Sequence, residues 1–318
     1  MNKPDKERVA VLIPCLDEES TIESVVQAFK KALPQASVYV FDNNSDDNSV
    51  EIARSAGAFV YNVPRRGKGN VVREMFRTVD SDIYVLVDGD GTYFAEDSIV
   101  MIAAAISRNL DMVIGDRLSN NIYDQQNKRR FHSFGNRFVR NLINFLYKAD
   151  CKDILSGYRV FSRRFVDNCP IMSDGFEVET EITIHAIDKK FGYCEVPIRY
   201  QDRPAGSVSK LSTISDGVRI IKTIALLFKD YKPLRFFSAV AFVVAVAGFG
   251  VGSYPIIEYF KTGYVGRVPL AFLAASLEVV AVLLYCCGLI LDTVVRANRE
   301  RCEMNIAAFN KSTIGPDE

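Results

Sequence analysis

Two long apolar runs, from Phe236 to about Tyr259 and from Pro269 to about Val295, limit the possible folds more than any other feature. Backbone in hydrocarbon must satisfy its own polar groups, which a helix does and an open strand does not. A helix needs about 20 apolar residues to cross a bilayer, and each run is long enough. Gly248, Gly250, Gly252 and Pro255 interrupt the first, which membrane helices tolerate. Glu278 falls inside the second and is costly against lipid, so it is expected to face the other helix or a protein interface. Arg219, Lys222, Lys229, Lys232 and Arg235 precede the pair and Arg296, Arg299 and Arg301 follow it, with only Lys261 and Arg267 between. This bias puts both ends in the cytoplasm and a short loop outside. Two spans are too few for a transport pathway within one chain, so they read as a hairpin anchor.

The residues before Phe236 have an ordinary soluble composition, long enough for a sizeable core. The formal net charge of +0 gives no reason to expect nucleic acid as a partner. Cysteines number 7, an odd count with no Cys-x-x-Cys pair, and read as reduced packing residues of a cytosolic compartment. Residues Met1 to Arg8 are charged and lead directly into a strand, so no signal peptide is expected. His132 and His185 read as structural or surface residues, not a catalytic pair.

Strand and helix signals alternate through this part. Val9 to Pro14 is an apolar strand, and Asp17-Glu18-Glu19-Ser20 opens an amphipathic helix with Ile22, Val25, Val26 and Phe29 on one face. Ser20 and Glu23 fit a capping box. Val38 to Phe41 is a second strand ending in Asp42-Asn43-Asn44-Ser45-Asp46-Asp47, followed by a helix through Val50 to Ala56 and a strand at Phe59 to Tyr61. Units of about thirty residues of this kind mark an α/β fold with a largely parallel sheet.

Tyr84-Val85-Leu86-Val87 reads as a buried strand that delivers Asp88-Gly89-Asp90 to its carboxyl end, where open α/β sheets collect ligands. Two carboxylates one residue apart repel unless a cation lies beside them, and Mg²⁺ takes one or two carboxylates together with phosphate oxygens. An Asp-Gly turn closing a strand is the alternative. Tyr93 occupies the position where a calcium-binding EF-hand loop needs glycine. Just before this strand, Arg65-Arg66-Gly67-Lys68-Gly69-Asn70 opens a helix, and glycines there let backbone approach an anion at the helix N-terminus. It is not a Walker loop, and a solvated loop is the alternative. Asp111 to Ile114 forms another strand, putting Asp116 and Arg117 on the same edge, where a guanidinium can grip phosphate in a fork.

Between Phe131 and Tyr147, Phe134, Phe138, Leu142, Phe145 and Leu146 recur at helical spacing among Arg137, Arg140 and Lys148. A core-facing helix with a basic outer face is expected, and an interfacial helix against lipid headgroups is the alternative. Asp153 to Arg159 reads as a polar turn. Gly175 to Glu181 begins a helix whose glutamates suit the helix dipole. Val196 to Tyr200 is a last strand, and Gln201 to Lys210 a loop carrying Arg203, Ser209 and Lys210. Leu211 to Phe228 looks like an amphipathic helix leading to the membrane.

Taken together, these residues resemble the family 2 inverting glycosyltransferases, and among them the polyprenyl-phosphate hexose transferases. Ile13-Pro14-Cys15-Leu16-Asp17-Glu18 matches the family's Ile-Pro-x-x-Asn-Glu opening, with Asp in the Asn position. Asp42 to Asp46, reading Asp-Asn-Asn-Ser-Asp, matches the first five positions of the base-binding Asp-x-x-Ser-x-Asp segment, and Asp88-Gly89-Asp90 the metal motif. Ser156-Gly157-Tyr158-Arg159 matches Ser-Gly-Phe-Arg, and Arg203 to Lys210 matches Arg-x-x-Gly-x-Ser-Lys with one extra residue.

The resemblance implies a GT-A catalytic domain, a Rossmann-like mixed sheet, over 1–210. Amphipathic juxtamembrane helices over 211–235, two transmembrane helices within 236–295 and a cytoplasmic tail over 296–318 follow. It also implies transfer of a hexose from a nucleoside diphosphate sugar to polyprenyl phosphate, undecaprenyl or dolichyl. The donor is expected to be UDP-glucose or UDP-N-acetylglucosamine, with GDP-mannose as the alternative. Pro14, Asp17, Glu18, Asp42, Asn44, Lys68, Asp88, Gly89 and Asp90 would hold the nucleotide sugar, with Asp88 and Asp90 on Mg²⁺ or Mn²⁺. Arg117, Arg203, Ser209 and Lys210 would take the acceptor phosphate, and Asp153 would act as a base or align the acceptor, unless it only caps its turn. The chain is expected in the cytoplasmic membrane, catalytic domain inward, with a homo-oligomer possible in principle. Three other readings compete. A nucleotidyltransferase would open with a Gly-rich loop and Arg, absent after the first strand, and an inactive lipid- or nucleotide-sugar-binding adaptor would not need Asp88 and Asp90. A processive polysaccharide synthase would carry Gln-x-x-Arg-Trp, and this chain has no Trp.

Overall fold

The computed structural model describes residues 7–119, 130–203 and 213–313. The seven strands are β1 (Val9–Cys15), β2 (Ser37–Asp42), β3 (Phe59–Asn62), β4 (Ile83–Leu86), β5 (Met112–Asp116), β6 (Arg159–Ser162) and β7 (Tyr193–Pro197). They form one sheet in the order β3-β2-β1-β4-β6-β5-β7. The β1–β2, β2–β3, β1–β4 and β5–β7 pairs are parallel, whereas β6 runs antiparallel between β4 and β5. The strand order reverses at β1 and β4, so their carboxyl ends open a crevice of the kind where such sheets bind ligands.

The helices that follow the strands cover the sheet. Helix α1 (Ile22–Ala32) buries Ile22, Val25, Val26 and Phe29, the face its periodicity marks. It is followed by α2 (Ser49–Ser55), α3 (Lys68–Thr78), α4 (Asp97–Ser107), α5 (Arg130–Tyr147), α6 (Arg163–Asn168) and α7 (Val178–Asp188). Val11, Ile13, Val40, Val85, Val113 and Val160 are wholly buried at the centre of the core. β-Branched residues suit strands covered on both faces.

Several local expectations differ from the structure. Ser20 does not cap α1; Thr21 stands at the N-cap, and its hydroxyl accepts nothing from the helix amides but donates to the Gly89 carbonyl at 2.8 Å. The turn expected at 153–159 ends in β6, and the last strand ends at Pro197, with Tyr200 joining only through a bridge to Tyr93. In α5 the stripe taken as core-facing leaves Phe138 and Phe145 exposed, while Val139, Ile143 and Tyr147 are buried. This helix is apolar on more than one face, so spacing alone does not say which stripe meets the sheet.

The chain divides into two compact units between Ile224 and Ala225, within α8 (Thr213–Tyr231). The second unit contains α9 (Pro233–Thr262) and α10 (Val268–Thr313), each with a stretch long and apolar enough to cross a membrane. Ala241, Gly248 and Pro255 are buried along α9 and Ala274, Ala281 and Gly288 along α10, both at a seven-residue spacing. That period belongs to helices that wind around one another, and the small side chains let the backbones come close. The Glu278 carboxylate abuts Gly248, facing the other helix.

His185 is buried in α7 against Phe165 and Phe191, and its Nε2–H donates to the Asn168 carbonyl at 2.9 Å. Burial pushes its pKa down to about 4, from an ordinary value of about 6.5. Between those values the unfolded chain binds the extra proton, so stability is complete above about pH 6.5 and falls as the pH drops toward 4. Thermal unfolding of the detergent-solubilised protein should show a loss on going from pH 7 to 5, of which about 2 kcal/mol is absent in His185→Gln. An equal loss in both proteins would contradict this.

Candidate active site

The site is built where β1, β2, β4 and β5 end. The turn after β1 and the turn after β2 brace each other. The Asp17 amide donates to Ser45 Oγ at 2.9 Å, the Asp46 amide to Asp17 Oδ1 at 2.7 Å, and the buried Glu18 amide to Ser49 Oγ at 2.8 Å. Asp17 and Asn44 have φ of 48° and 63°. Asp and Asn tolerate this left-handed region, which explains why Asp serves where the family has Asn. Asp42 is buried and accepts from the Asn44 and Ser45 amides, fixing its own turn. Gly89 packs against the Pro14 carbonyl, where an added Cβ would come within 3.3 Å.

Asn43 drew no notice in the sequence, yet it ties the basic loop to β2. Its amide donates to the Val63 and Arg65 carbonyls and its Oδ1 accepts from the Gly67 amide at 2.7 Å. Gly67 and Gly69 are needed for a close approach, but what they approach is protein. A Cβ at either would collide with the Asp174 or Ser173 carbonyl, and the Gly69 amide already donates to Asp174 O at 3.0 Å. The start of α3 is therefore closed by the 173–174 segment and does not offer the open anion cradle expected of it. It serves to fix Lys68.

Lys68 reaches into the crevice, with Nζ 2.5 Å from Asp88 Oδ1 and 2.6 Å from Glu179 Oε1. Burial by itself would lower its pKa, but the two carboxylates outweigh it and hold the ammonium charged well above its ordinary range. Glu179 and Glu181 thus do tertiary work beyond helix stabilisation, since Glu181 accepts from the Met172 and Ser173 amides. Asp90 is also compensated: Oδ2 lies 2.7 Å from Arg203 Nη2, and Oδ1 accepts from the Thr92 hydroxyl and amide.

Asp153 is completely buried, and its two oxygens take Arg117 in a fork, from Nε at 2.7 Å and Nη2 at 2.8 Å. Arg117 also lies over the Tyr200 ring and donates to the Tyr93 hydroxyl. That hydroxyl accepts from the Gly157 amide at 3.2 Å, and Gly157 lies so close to the Asp88 carboxylate that a Cβ there would collide with it. Burial raises the Tyr93 pKa well above its usual value, opposed by Arg117, so it stays a neutral donor and acceptor. Arg159 is fully buried and spans the loop, donating to the Ser156 and Ile154 carbonyls and Thr183 Oγ1. Tyr93, Tyr158 and Tyr200 back these contacts as one cluster, and nothing local in the sequence signals that these three separated residues meet. Ser209 and Lys210 lie outside the described residues.

The carboxyl edge of this mixed sheet thus carries an acidic pair, Asp88 and Asp90, each held by a basic side chain. The model of glycosyl transferase family 2 matches residues 10–169, and the chain belongs to that family. It is similar to the glycosyltransferase AglJ of Haloferax volcanii, 32% identical over 94% of this chain and 97% of that protein. It is also similar to a dolichyl-phosphate hexose transferase of the same organism, 28% identical over 68% of this chain and 92% of the relative. Among solved structures, glucosyl-3-phosphoglycerate synthase from Mycobacterium tuberculosis, in complex with Mn²⁺, UDP and glucosyl-3-phosphoglycerate, shares the fold. The TM-score is 0.54 at 21% identity, covering 70% of this chain and 79% of that one. The fold is thus the GT-A type.

Breaking one side of the buried Arg117–Asp153 fork leaves a charge without its partner, which costs roughly 3 to 5 kcal/mol. Asp153→Asn should therefore lower the thermal midpoint markedly. A midpoint equal to that of the wild type would show that Asp153 has no role in holding Arg117.

Proposed function

We propose that this chain transfers a hexose, with inversion, from UDP-glucose or UDP-N-acetylglucosamine to a polyprenyl phosphate at the cytoplasmic membrane surface. The observation that carries the reading is the pairing of Asp88 and Asp90 with Lys68 and Arg203 at the carboxyl edge of β4. Acids and bases are thereby assembled where a diphosphate and a divalent cation can be accommodated together. The relative named for dolichyl-phosphate hexose transfer supports the acceptor, and the fold neighbour in complex with Mn²⁺ and UDP supports the donor.

Asp88 and Asp90 fit Mg²⁺ or Mn²⁺, because both supply hard oxygen ligands. Among the described residues no group of three or more acidic, Cys or His side chains forms a complete cage, so phosphate oxygens would share the coordination. Such an ion, when bound, neutralises the charge that builds on the leaving UDP. The chain's own part is binding and alignment. Pro14, Asp17, Glu18, Asp42 and Asn44 shape the nucleotide end, and Gly89 lets Asp88 and Asp90 sit against it. Arg117, Arg203, Ser209 and Lys210 take the acceptor phosphate. A phosphate monoester has its second pKa at about 6, so at neutral pH it is mostly dianionic and needs orientation more than deprotonation. Asp153 accordingly acts by aiming Arg117, whose fork matches phosphate oxygens.

Membrane attachment supports the same reading. Helices α9 and α10 act as a hairpin anchor with catalytic domain and both termini in the cytoplasm. Phe138 and Phe145 on α5, and Val218 and Ile221 on α8, are exposed apolar side chains suited to the headgroup layer. On this reading the catalytic domain runs over 1–210, juxtamembrane helices over 211–235, spans within 236–295 and a tail over 296–318.

Purified protein with Mn²⁺ should move label from a UDP-hexose into undecaprenyl phosphate. EDTA should abolish transfer, and Asp90→Asn should slow it by at least about 100-fold. Transfer from GDP-mannose alone would correct the donor. Folded protein inactive with all three nucleotide sugars, with undecaprenyl or dolichyl phosphate, would contradict the reading.

A further inference from the structure

Lys68 has a place that a simple phosphate-binding lysine would not need. Its side chain is 10% exposed, its ammonium lies between Asp88 and Glu179, and the ring of Phe176 lies 5.9 Å away. Glu179 is 6% exposed, and its Oε1 lies 2.6 Å from the ammonium. The backbone below Lys68 is pinned, since Gly67 and Gly69 are wedged against Ser173 and Asp174, and Arg73 donates to the Ile171, Met172 and Ser173 carbonyls. The ammonium can therefore be shared between neighbouring partners without leaving the crevice.

Resting on the donor reading above, we infer that Lys68 is a built-in counterion for Asp88. Glu179 holds it ready for release, so that a divalent ion occupies Asp88 only when the donor diphosphate takes Lys68 over. Three charges, two negative and one positive, share this pocket before any ligand arrives. A divalent cation at Asp88 turns the contact with Lys68 from attraction to repulsion, and Lys68 must shift toward Glu179. An ammonium has three N–H donors, so it can keep Glu179 and give the freed donor to a phosphate oxygen. Glu179 is then a positioning residue: it never needs to touch the donor. Metal and nucleotide support one another's binding, and neither binds well alone, a reciprocal coupling between two ligands. The carboxylates stay compensated until the substrate arrives, which keeps a stray divalent ion from occupying the site without it.

The test uses the full chain in detergent, with Mn²⁺ alone as the probe, free Mn²⁺ read by electron paramagnetic resonance, and then UDP added. Lys68→Met should bind Mn²⁺ alone about tenfold more tightly than wild type, while Glu179→Gln should bind it several-fold more weakly because Lys68 then rests wholly on Asp88. In the double variant the Glu179→Gln effect should vanish, since its route runs through Lys68. Lys68→Arg keeps the positive charge and should bind Mn²⁺ alone more weakly than Lys68→Met. UDP should tighten Mn²⁺ binding in wild type more than in Lys68→Met.

Unchanged or weaker Mn²⁺ binding in Lys68→Met, or effects that simply add in the double variant, would overturn the inference. If Lys68→Met does not fold, Glu179→Gln decides alone: Mn²⁺ binding equal to or tighter than wild type overturns it. Wild-type protein that binds no UDP with Mn²⁺ present would overturn the donor reading itself, an outcome distinct from UDP binding with the wrong pattern among variants.

Discussion

The site depends on charge compensation among carboxylates that are mostly buried. Asp88, Asp90, Asp153 and Glu179 sit in one crevice, and an isolated buried carboxylate is too costly to keep ionised. Each is answered by a cation: Lys68 for Asp88 and Glu179, Arg203 for Asp90, Arg117 for Asp153. A contiguous chain of contacts runs from Arg117 through Tyr93 and Gly157 to Asp88 and Lys68. The arrangement gives the crevice several charges at fixed positions before any ligand enters, and such preorganisation is what stabilises charge developing on a leaving group.

The scaffold explains why those charges stay in place. Parallel β1 and β4 deliver the Asp17 and Asp88 turns side by side, and Thr21 Oγ1 fastens one to the other at the Gly89 carbonyl. Asn43 holds the basic loop to β2. Antiparallel β6 brings Gly157 under Asp88, and Arg159 braces the loop that carries Asp153 by filling three buried acceptors. Burial pushes the Arg159 pKa down, yet the nearby Glu179 and Asp153 carboxylates favour its charged form. The Ser-Gly-Tyr-Arg run is thus scaffold for the site: its small residue admits the carboxylate and its arginine holds the loop.

Much of this could be read from residues alone, for identifiable reasons. Short apolar runs, closed by Pro14 in β1 and by an Asp just beyond the run in β2, β4 and β5, marked these strands because strands covered on both faces exclude polar residues. Strand β6 was hidden because it begins with Arg159, a residue type rarely buried. The Lys68 loop was recognised as basic and glycine-rich, but the partner of its glycines, the 173–174 segment, lies about a hundred residues away and leaves no local trace. Glu179 looked like a helix-dipole residue because its ion pair is likewise nonlocal. The helical hairpin was legible almost whole, since a long apolar run has few alternatives, whereas α5 had two apolar stripes and only packing could choose between them.

The central claim, that Asp88 and Asp90 bind the metal–diphosphate end of a nucleotide sugar, is tested most directly by anomalous diffraction from crystals grown with Mn²⁺ and UDP. The expected result is one manganese peak bonded to a carboxylate of this pair and to the diphosphate, with Lys68 withdrawn from Asp88. Diphosphate bound away from the edge of β4, or manganese on other ligands while Lys68 and Arg203 still hold both aspartates, would contradict it.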